Sequence, residues 1–369
     1  MEAQKKIATP KAGWIANQRL VHQHLVTPTL EKASEVVAFL GAVQAQDYGA
    51  AKWGLAQRTL SATDTEIEKE IATGAIVRTH ILRPTWHFVA PTDIRWMLAL
   101  TAPRVHAANA YYYRTLELDE PIFRKSRAVL EKGLRDGQHL TRAELGRALE
   151  SARISMKDPR RLSATMMSAE LEGLVCSGAR RGKEFTYALL EQRVPRAKTL
   201  GRDEALHELA KRYYSTRGPA TADDFAWWSG LTKADAKRGA QSAAAELQHT
   251  IIDDRSYWSS APAPATKRHT PLAHLLPNYD EFFIGFRDRS AFAERLRAAG
   301  IEARTDALSG HILAINGQIV GGWGRTFRGR KAVIRLKQLQ ALTTPENRAV
   351  AATARRLGEF LGMPTQIQQ

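Results

Sequence analysis

The chain has 369 residues, 44% of them hydrophobic and 25% charged, with 8 Trp, 9 Tyr and 11 Phe spread along it; this excludes a chain disordered throughout and leaves room for two or three domains with their own cores. Its 54 Lys and Arg against 38 Asp and Glu give a formal charge of +16, which points to a polyanionic partner, whether DNA, RNA or an anionic membrane surface. No apolar run approaches the roughly 20 residues that span a bilayer, Met1 to Trp14 is charged without an apolar leader core, and the single Cys176 excludes an intramolecular disulfide, a thiolate zinc site or an iron–sulfur cluster. A cytoplasmic protein is expected, with Cys176 a small buried hydrophobe beside Val175.

Ala33, Val36, Val37, Leu40 and Val43 recur three and four apart and predict one buried helical face that runs directly into Gln44, Ala45 and Gln46. A polar turn from Ser61 to Asp64 introduces a short helix, Thr65 to Ala72, and two alternating stretches follow, Ile76 to Leu82 and Thr85 to Val89. Two helices and then a two-stranded ribbon is the order of a winged helix. The order returns with the capping box Thr141-Arg-Ala-Glu144, a longer helix from Ser163 to Leu174, and strands Leu174 to Cys176 and Phe185 to Leu190 on either side of the turn Gly178 to Gly182. A third round starts at a second box, Thr221-Ala-Asp-Asp224, after Gly218-Pro219 has ended the preceding helix.

The last part differs in texture. His311 to Ile315, Gln318 to Trp323 and Ala332 to Leu336 predict an antiparallel meander with Asn316-Gly317 as a tight turn, and a final helix spans Pro345 to Leu361. Between Arg287 and Gln340 there are eleven Lys and Arg and four Asp and Glu, a net +7, with Arg325, Arg328, Arg330 and Lys331 gathered around Gly329. The expected fold class is α+β and mostly helical: three winged-helix units at 1–115, 116–198 and 199–369, the last carrying the meander and its basic hairpin.

Several phrases resemble the bacterial winged-helix DNA glycosylases of the AlkZ and YcaQ type: Gln44-Ala45-Gln46, Leu82-Arg-Pro-Thr-Trp-His87, Gly218-Pro-Ala-Thr-Ala-Asp-Asp-Phe-Ala-Trp-Trp228, and Leu275-Leu-Pro-Asn-Tyr-Asp-Glu-Phe282 followed by Gly285-Phe-Arg-Asp288. The resemblance covers almost the full length. It implies three tandem winged helices in a C-shaped molecule that binds double-stranded DNA, and a catalytic motif of glutamine, an apolar residue, then glutamine or aspartate. Here that motif is Gln44, Ala45, Gln46. The second glutamine is similar to the AlkZ branch, which implies removal of N7-alkylated guanines and, in some members, of bulky adducts or interstrand crosslinks. Ala45 is smaller than many apolar residues at its position and loosens the local packing.

Two neutral amides suit that substrate. An N7-alkylguanine already carries a positive charge and departs as a neutral base, so the oxocarbenium-like sugar left behind needs only a positioned water; an amide C=O accepts from the water while its NH2 holds a phosphate or backbone oxygen. Residues two apart lie about 200° apart on a helix but on one side of extended backbone, so both glutamines converge only if the helix ends by Val43 or distorts there. Asp47, Tyr48 and Gly49 are turn formers and favour such an end.

Asp47 is a possible auxiliary carboxylate for water activation, ranked below the glutamines because an Asp after a helix is usually a turn or cap residue. His87, with His80, flanks the ribbon and is kept as a possible auxiliary, although a strand His is more often structural. His22 and His24 lack the further ligands of a metal site, so neither metal nor cofactor is expected. The basic turn Arg325, Arg328, Arg330 and Lys331 is expected to bring Thr326, Phe327 and Arg328 to a DNA groove, and Arg180, Arg181 and Lys183 form a second basic turn aimed at phosphates. With no Lys in the motif to form a Schiff base, a monofunctional, monomeric glycosylase is expected; a winged-helix protein that binds DNA without chemistry is the alternative.

Overall fold

The structure, a computed structural model, describes residues 13–197, 199–261, 270–301 and 310–368; most of the charged stretch Met1 to Trp14 lies outside them. The fold is α+β. Its residues pack into two compact units, one drawn from Met1–Ile67, His207–Trp228 and Thr232–Gln369, the other from Glu68–Leu206 and Ser229–Leu231. The three expected winged helices follow a repeated element order, whereas compaction follows this different division of the chain.

In the first unit the helix Ala33–Leu40 buries Ala33, Val36, Val37 and Leu40, as the periodicity predicts. Val43 does not continue that face. Gly41 takes φ 81°, which ends the helix, and Ala42–Gln44 is a fully buried strand. The helix Tyr48–Ala56 follows at once, its N-terminus capped by Asp47, whose carboxylate accepts the Ala50 N–H at 3.1 Å.

The meander belongs to a five-stranded sheet in the order Thr365–Gln368, Lys331–Gln338, Gln318–Arg328, His311–Ile315, Ala273–Leu276. All neighbours are antiparallel except the first pair, which is parallel. Asn316 and Gly317 at φ 51° and 77° make the left-handed two-residue turn that this dipeptide favours. Two of the arms run further than expected, to Arg328 and Lys331, which pair directly across Gly329 and Arg330. The helix Thr344–Leu361 starts on the box Thr343/Glu346 and lays Val350, Ala354, Leu357 and Phe360 inward, packing on strand Ala273–Leu276.

The second unit holds the hairpin Val77–Ile81 and Arg83–Val89, the helices Ile94–Thr115, Glu120–Leu134, Arg142–Ser151 and Pro159–Leu171, and the three-stranded sheet Leu140–Thr141, Thr186–Leu189, Val175–Ser177. Thr141 and Glu144 form the expected capping box. Leu130, Leu134, Leu145, Leu149, Met166 and Val175 meet in its core. Cys176 is fully buried in its strand, and burial pushes its thiol up to about 12.

Candidate active site

Because the helix stops at Leu40, Gln44 and Gln46 stand on extended and bent backbone rather than on opposite helical faces. Ala45 between them is fully buried, Gln44 is 6% exposed, and Gln46 and Asp47 are exposed. The segment thus emerges from the core at Gln46.

A buried ion pair fixes the segment at three points. The Gln44 N–H donates to Glu281 Oε1 at 2.8 Å. The other carboxylate oxygen of Glu281 accepts from Arg217 Nε at 3.0 Å, Arg217 Nη2 at 2.6 Å and Trp228 Nε1 at 2.9 Å. Arg217 in turn donates to the carbonyls of Leu40 at 2.8 Å and Ala42 at 2.9 Å, with its guanidinium 4.4 Å from the Trp228 ring centre. Arg217 and Glu281 are wholly buried, so each charge depends on the other and on these backbone partners. The pair reads the segment 40–44 much as a neighbouring strand would, taking alternate carbonyls and an N–H, but with charged and therefore stronger hydrogen bonds.

The preceding residue anchors the other flank. Asp280 makes a two-point pair with Arg58, at 3.0 and 2.8 Å, and Arg58 also donates to Gly54 O at 2.7 Å and to Gln23 Oε1 at 2.7 Å. Gly54 allows this approach, because a Cβ there would lie 3.0 Å from Asp280 Oδ2 and 3.3 Å from Pro277 Cγ. Trp53 Nε1 donates to Leu275 O at 2.7 Å. The phrase from Leu275 to Phe282 therefore holds both the motif strand and the helix that follows it. Asp280, Glu281 and Trp228 stand inside phrases that carry the family resemblance, but their positioning role is not legible there, and Arg58 and Arg217 lie outside those phrases; the available signal is two adjacent carboxylates inside an apolar run, which must be paired if buried.

Around the exposed end the charges are mixed. Arg325 is half-buried on the strand Gln318–Arg328, where burial lowers its pKa while Asp47 and Asp64 oppose that shift. Its partial burial sets it apart from the hairpin tip, where Arg328, Arg330 and Lys331 are exposed together with Phe327. Its guanidinium lies 5.0 Å from the Phe327 ring centre. Lys52, buried on the helix after the motif, pairs with Asp64 at 2.9 Å and lies 5.0 Å from the Tyr48 ring centre.

The remaining candidates fall elsewhere. In the second unit Arg181 donates to Glu144 at 2.8 Å and His139 O at 2.7 Å, and Arg180 donates to Glu68 at 3.4 Å and Lys183 O at 3.0 Å, while Lys183 itself is exposed. His87 is fully buried with Nδ1 2.9 Å from Thr85 O. His80 pairs through Nδ1 with the buried Glu170 and packs 4.4 Å from Trp86. In the first unit His22 meets the Gly218 carbonyl at 2.8 Å and His24 the Thr29 hydroxyl at 2.8 Å. Among the described residues there is no cluster of three or more His, Cys, Asp or Glu arranged to hold a metal ion, and no helix long and apolar enough to cross a membrane.

Known proteins are similar to the chain over most of its length. An interstrand DNA cross-link repair glycosylase of Streptomyces sahachiroi is 26% identical, the match covering 85% of this chain and 88% of that protein. The solved structure of the Streptomyces sahachiroi DNA glycosylase AlkZ superposes with a TM-score of 0.76 at 22% identity, over 100% of both chains. The profile of the AlkZ-like DNA glycosylases matches residues 37–360, from the middle of the helix before the motif to the end of the last long helix, and the chain belongs to that family.

Proposed function

We propose that this glycosylase is monofunctional and hydrolyses the N-glycosidic bond of N7-alkylated guanine in double-stranded DNA, with Gln44 and Gln46 as the catalytic pair. The supporting observation is the pair's mounting: a neutral Gln-Ala-Gln segment, fixed by a buried ion pair at Gln44 and presented to solvent at Gln46 beside Asp47. Water adds through its oxygen to C1′ as the C1′–N9 bond breaks. The bonding electrons neutralise the cationic base, and the water proton passes to solvent. The amides orient the water, and the Asp47 carboxylate favours the positive sugar electrostatically.

The basic hairpin tip supplies phosphate contacts, with Arg180, Arg181 and Lys183 as a second set; Arg181 exchanges Glu144 for a phosphate when it takes part. The name of the Streptomyces sahachiroi relative extends the proposed substrates to crosslinked guanines. A monomer acting in the cytoplasm on three winged-helix units completes the proposal.

The test is single-turnover release of 7-methylguanine from alkylated duplex. Gln44→Ala and Gln46→Ala should each slow release by roughly a hundredfold with duplex affinity nearly intact. A folded double alanine variant releasing base at wild-type speed returns Asp47 to first place. A wild-type protein that binds duplex yet frees no 7-methylguanine overturns the reading of N7-alkylguanine as the substrate.

A further inference from the structure

His311 opens the strand His311–Ile315 and pairs directly across the sheet with Trp323, their ring centres 4.7 Å apart. Arg325 lies two residues beyond Trp323, hence on the same face of the sheet, and the half-buried imidazole and this guanidinium are diagonal neighbours. The Asn278 N–H donates to His311 Nδ1 at 2.7 Å. An imidazole that accepts at Nδ1 carries its proton on Nε2, and no protein acceptor for that Nε2–H is found among the described residues.

We propose that His311 is a further substrate-contacting residue of the reaction, a neutral Nε2–H donor to an oxygen of the lesion nucleotide beside Gln46. The inference rests on the glycosylase reading above. The site of the ring follows from its anchor: Asn278 holds it, and Glu281, three residues further along the same segment, accepts the Gln44 N–H at 2.8 Å, while Asp47 and Arg325 act on the ring electrostatically. Burial is the largest influence and lowers its pKa, Arg325 lowers it further, and Asp47 opposes both. The Asn278 N–H works in the same direction as burial, because a protonated ring would set one N–H against another. A donor that stays neutral suits this substrate, since an imidazolium would repel the positive base and a neutral ring does not.

The test compares wild type, His311→Gln and His311→Ala in single-turnover release of 7-methylguanine from pH 5.5 to 8.5, with duplex affinity and thermal unfolding measured alongside. The Gln side chain places an N–H close to the position of Nε2. The expected result is a loss of about tenfold in rate for His311→Ala with affinity changed by less than about threefold, and recovery of most of that loss in His311→Gln. The wild-type rate should show no step attributable to His311 near pH 6.5. Three results overturn the inference while leaving the glycosylase reading in place: a wild-type rate in His311→Ala, equal losses in both variants, or a pH step in wild type that His311→Ala abolishes. If wild type itself releases no 7-methylguanine, the N7-alkylguanine reading fails and this inference fails with it.

Discussion

Glu281→Ala is the most demanding test of how the motif is held. The substitution leaves Arg217 as a charge with no exposure and no counter-ion, and strips the Gln44 N–H and the Trp228 indole N–H of their acceptor. Breaking a buried pair from one side costs about 3–5 kcal/mol, and an orphaned buried N–H about 1–3 kcal/mol; the two effects overlap because they share one carboxylate. The expected loss is therefore about 4 kcal/mol, a large part of the roughly 5–15 kcal/mol that a folded domain holds in reserve. Urea unfolding measures it. The informative partner is Arg217→Met combined with Glu281→Leu, which removes both charges: stability should recover to within about 1–2 kcal/mol of wild type, whereas base release should remain at least about tenfold slow, because nothing then fixes the carbonyls of Leu40 and Ala42 and the N–H of Gln44 together. A double variant with wild-type turnover would show that the ion pair contributes stability alone and has no part in registering the glutamines.

Other perturbations separate the remaining parts. Replacing the exposed Arg328, Arg330 and Lys331 with Ala should reduce the slope of log affinity against log salt by about three if each holds a phosphate, with the fold intact; an unchanged slope in a filter-binding titration removes the hairpin tip from the interface. Arg325→Ala should instead slow single-turnover release more than it weakens binding, since the half-buried guanidinium interacts electrostatically with Asp47, and a variant that loses affinity alone contradicts that role. For Asp288, burial raises the carboxyl pKa, but hydrogen bonds from Arg255 and the Ser290 N–H outweigh it and hold the group at about 2. A depressed carboxylate stabilises the fold above its ordinary value of 3.8 and ceases to do so as pH falls towards 2, so Asp288→Asn should lower the unfolding midpoint at pH 7 and match wild type near pH 2. Gly321→Ala should destabilise the sheet, because its Cβ would crowd the Lys337 carbonyl across the strand pair, and unfolding at the wild-type midpoint would refute the register assigned there.

The parts legible in sequence were those fixed by local chemistry. Asn316-Gly317 announced the meander because few other dipeptides accept two left-handed residues, and the Thr/Glu and Thr/Asp boxes announced their helices because each side chain satisfies a backbone group three residues away. Val43 was misplaced on a helix because apolar spacing continues past Gly41, while the backbone there turns at φ 81°. The long helix Ile94–Thr115 is poorly signalled by sequence, as it carries Pro103 in its interior. Strand Thr365–Gln368 is short and polar and lies at the sheet edge, so alternation gave no signal. The glutamine pair was visible only through a family phrase. The partnership of the residues that hold it is not legible, although Glu281 lies in another such phrase, since no local spacing relates Gln44 to Glu281 or Leu40 to Arg217.

The same ion pair has a consequence for how the enzyme comes into being. The hydrogen bond at Gln44 joins residues 237 apart in sequence, and those at Leu40 and Ala42 join residues 177 and 175 apart. At roughly 5–20 residues per second of synthesis, the motif waits on the order of tens of seconds on the ribosome before its partner acid is made. During that interval the nascent chain exposes the two glutamines without the carboxylate that registers them. Activity is thus conferred late and all at once, and a chain cut short before Glu281 lacks the acid that registers the motif however well its other elements fold.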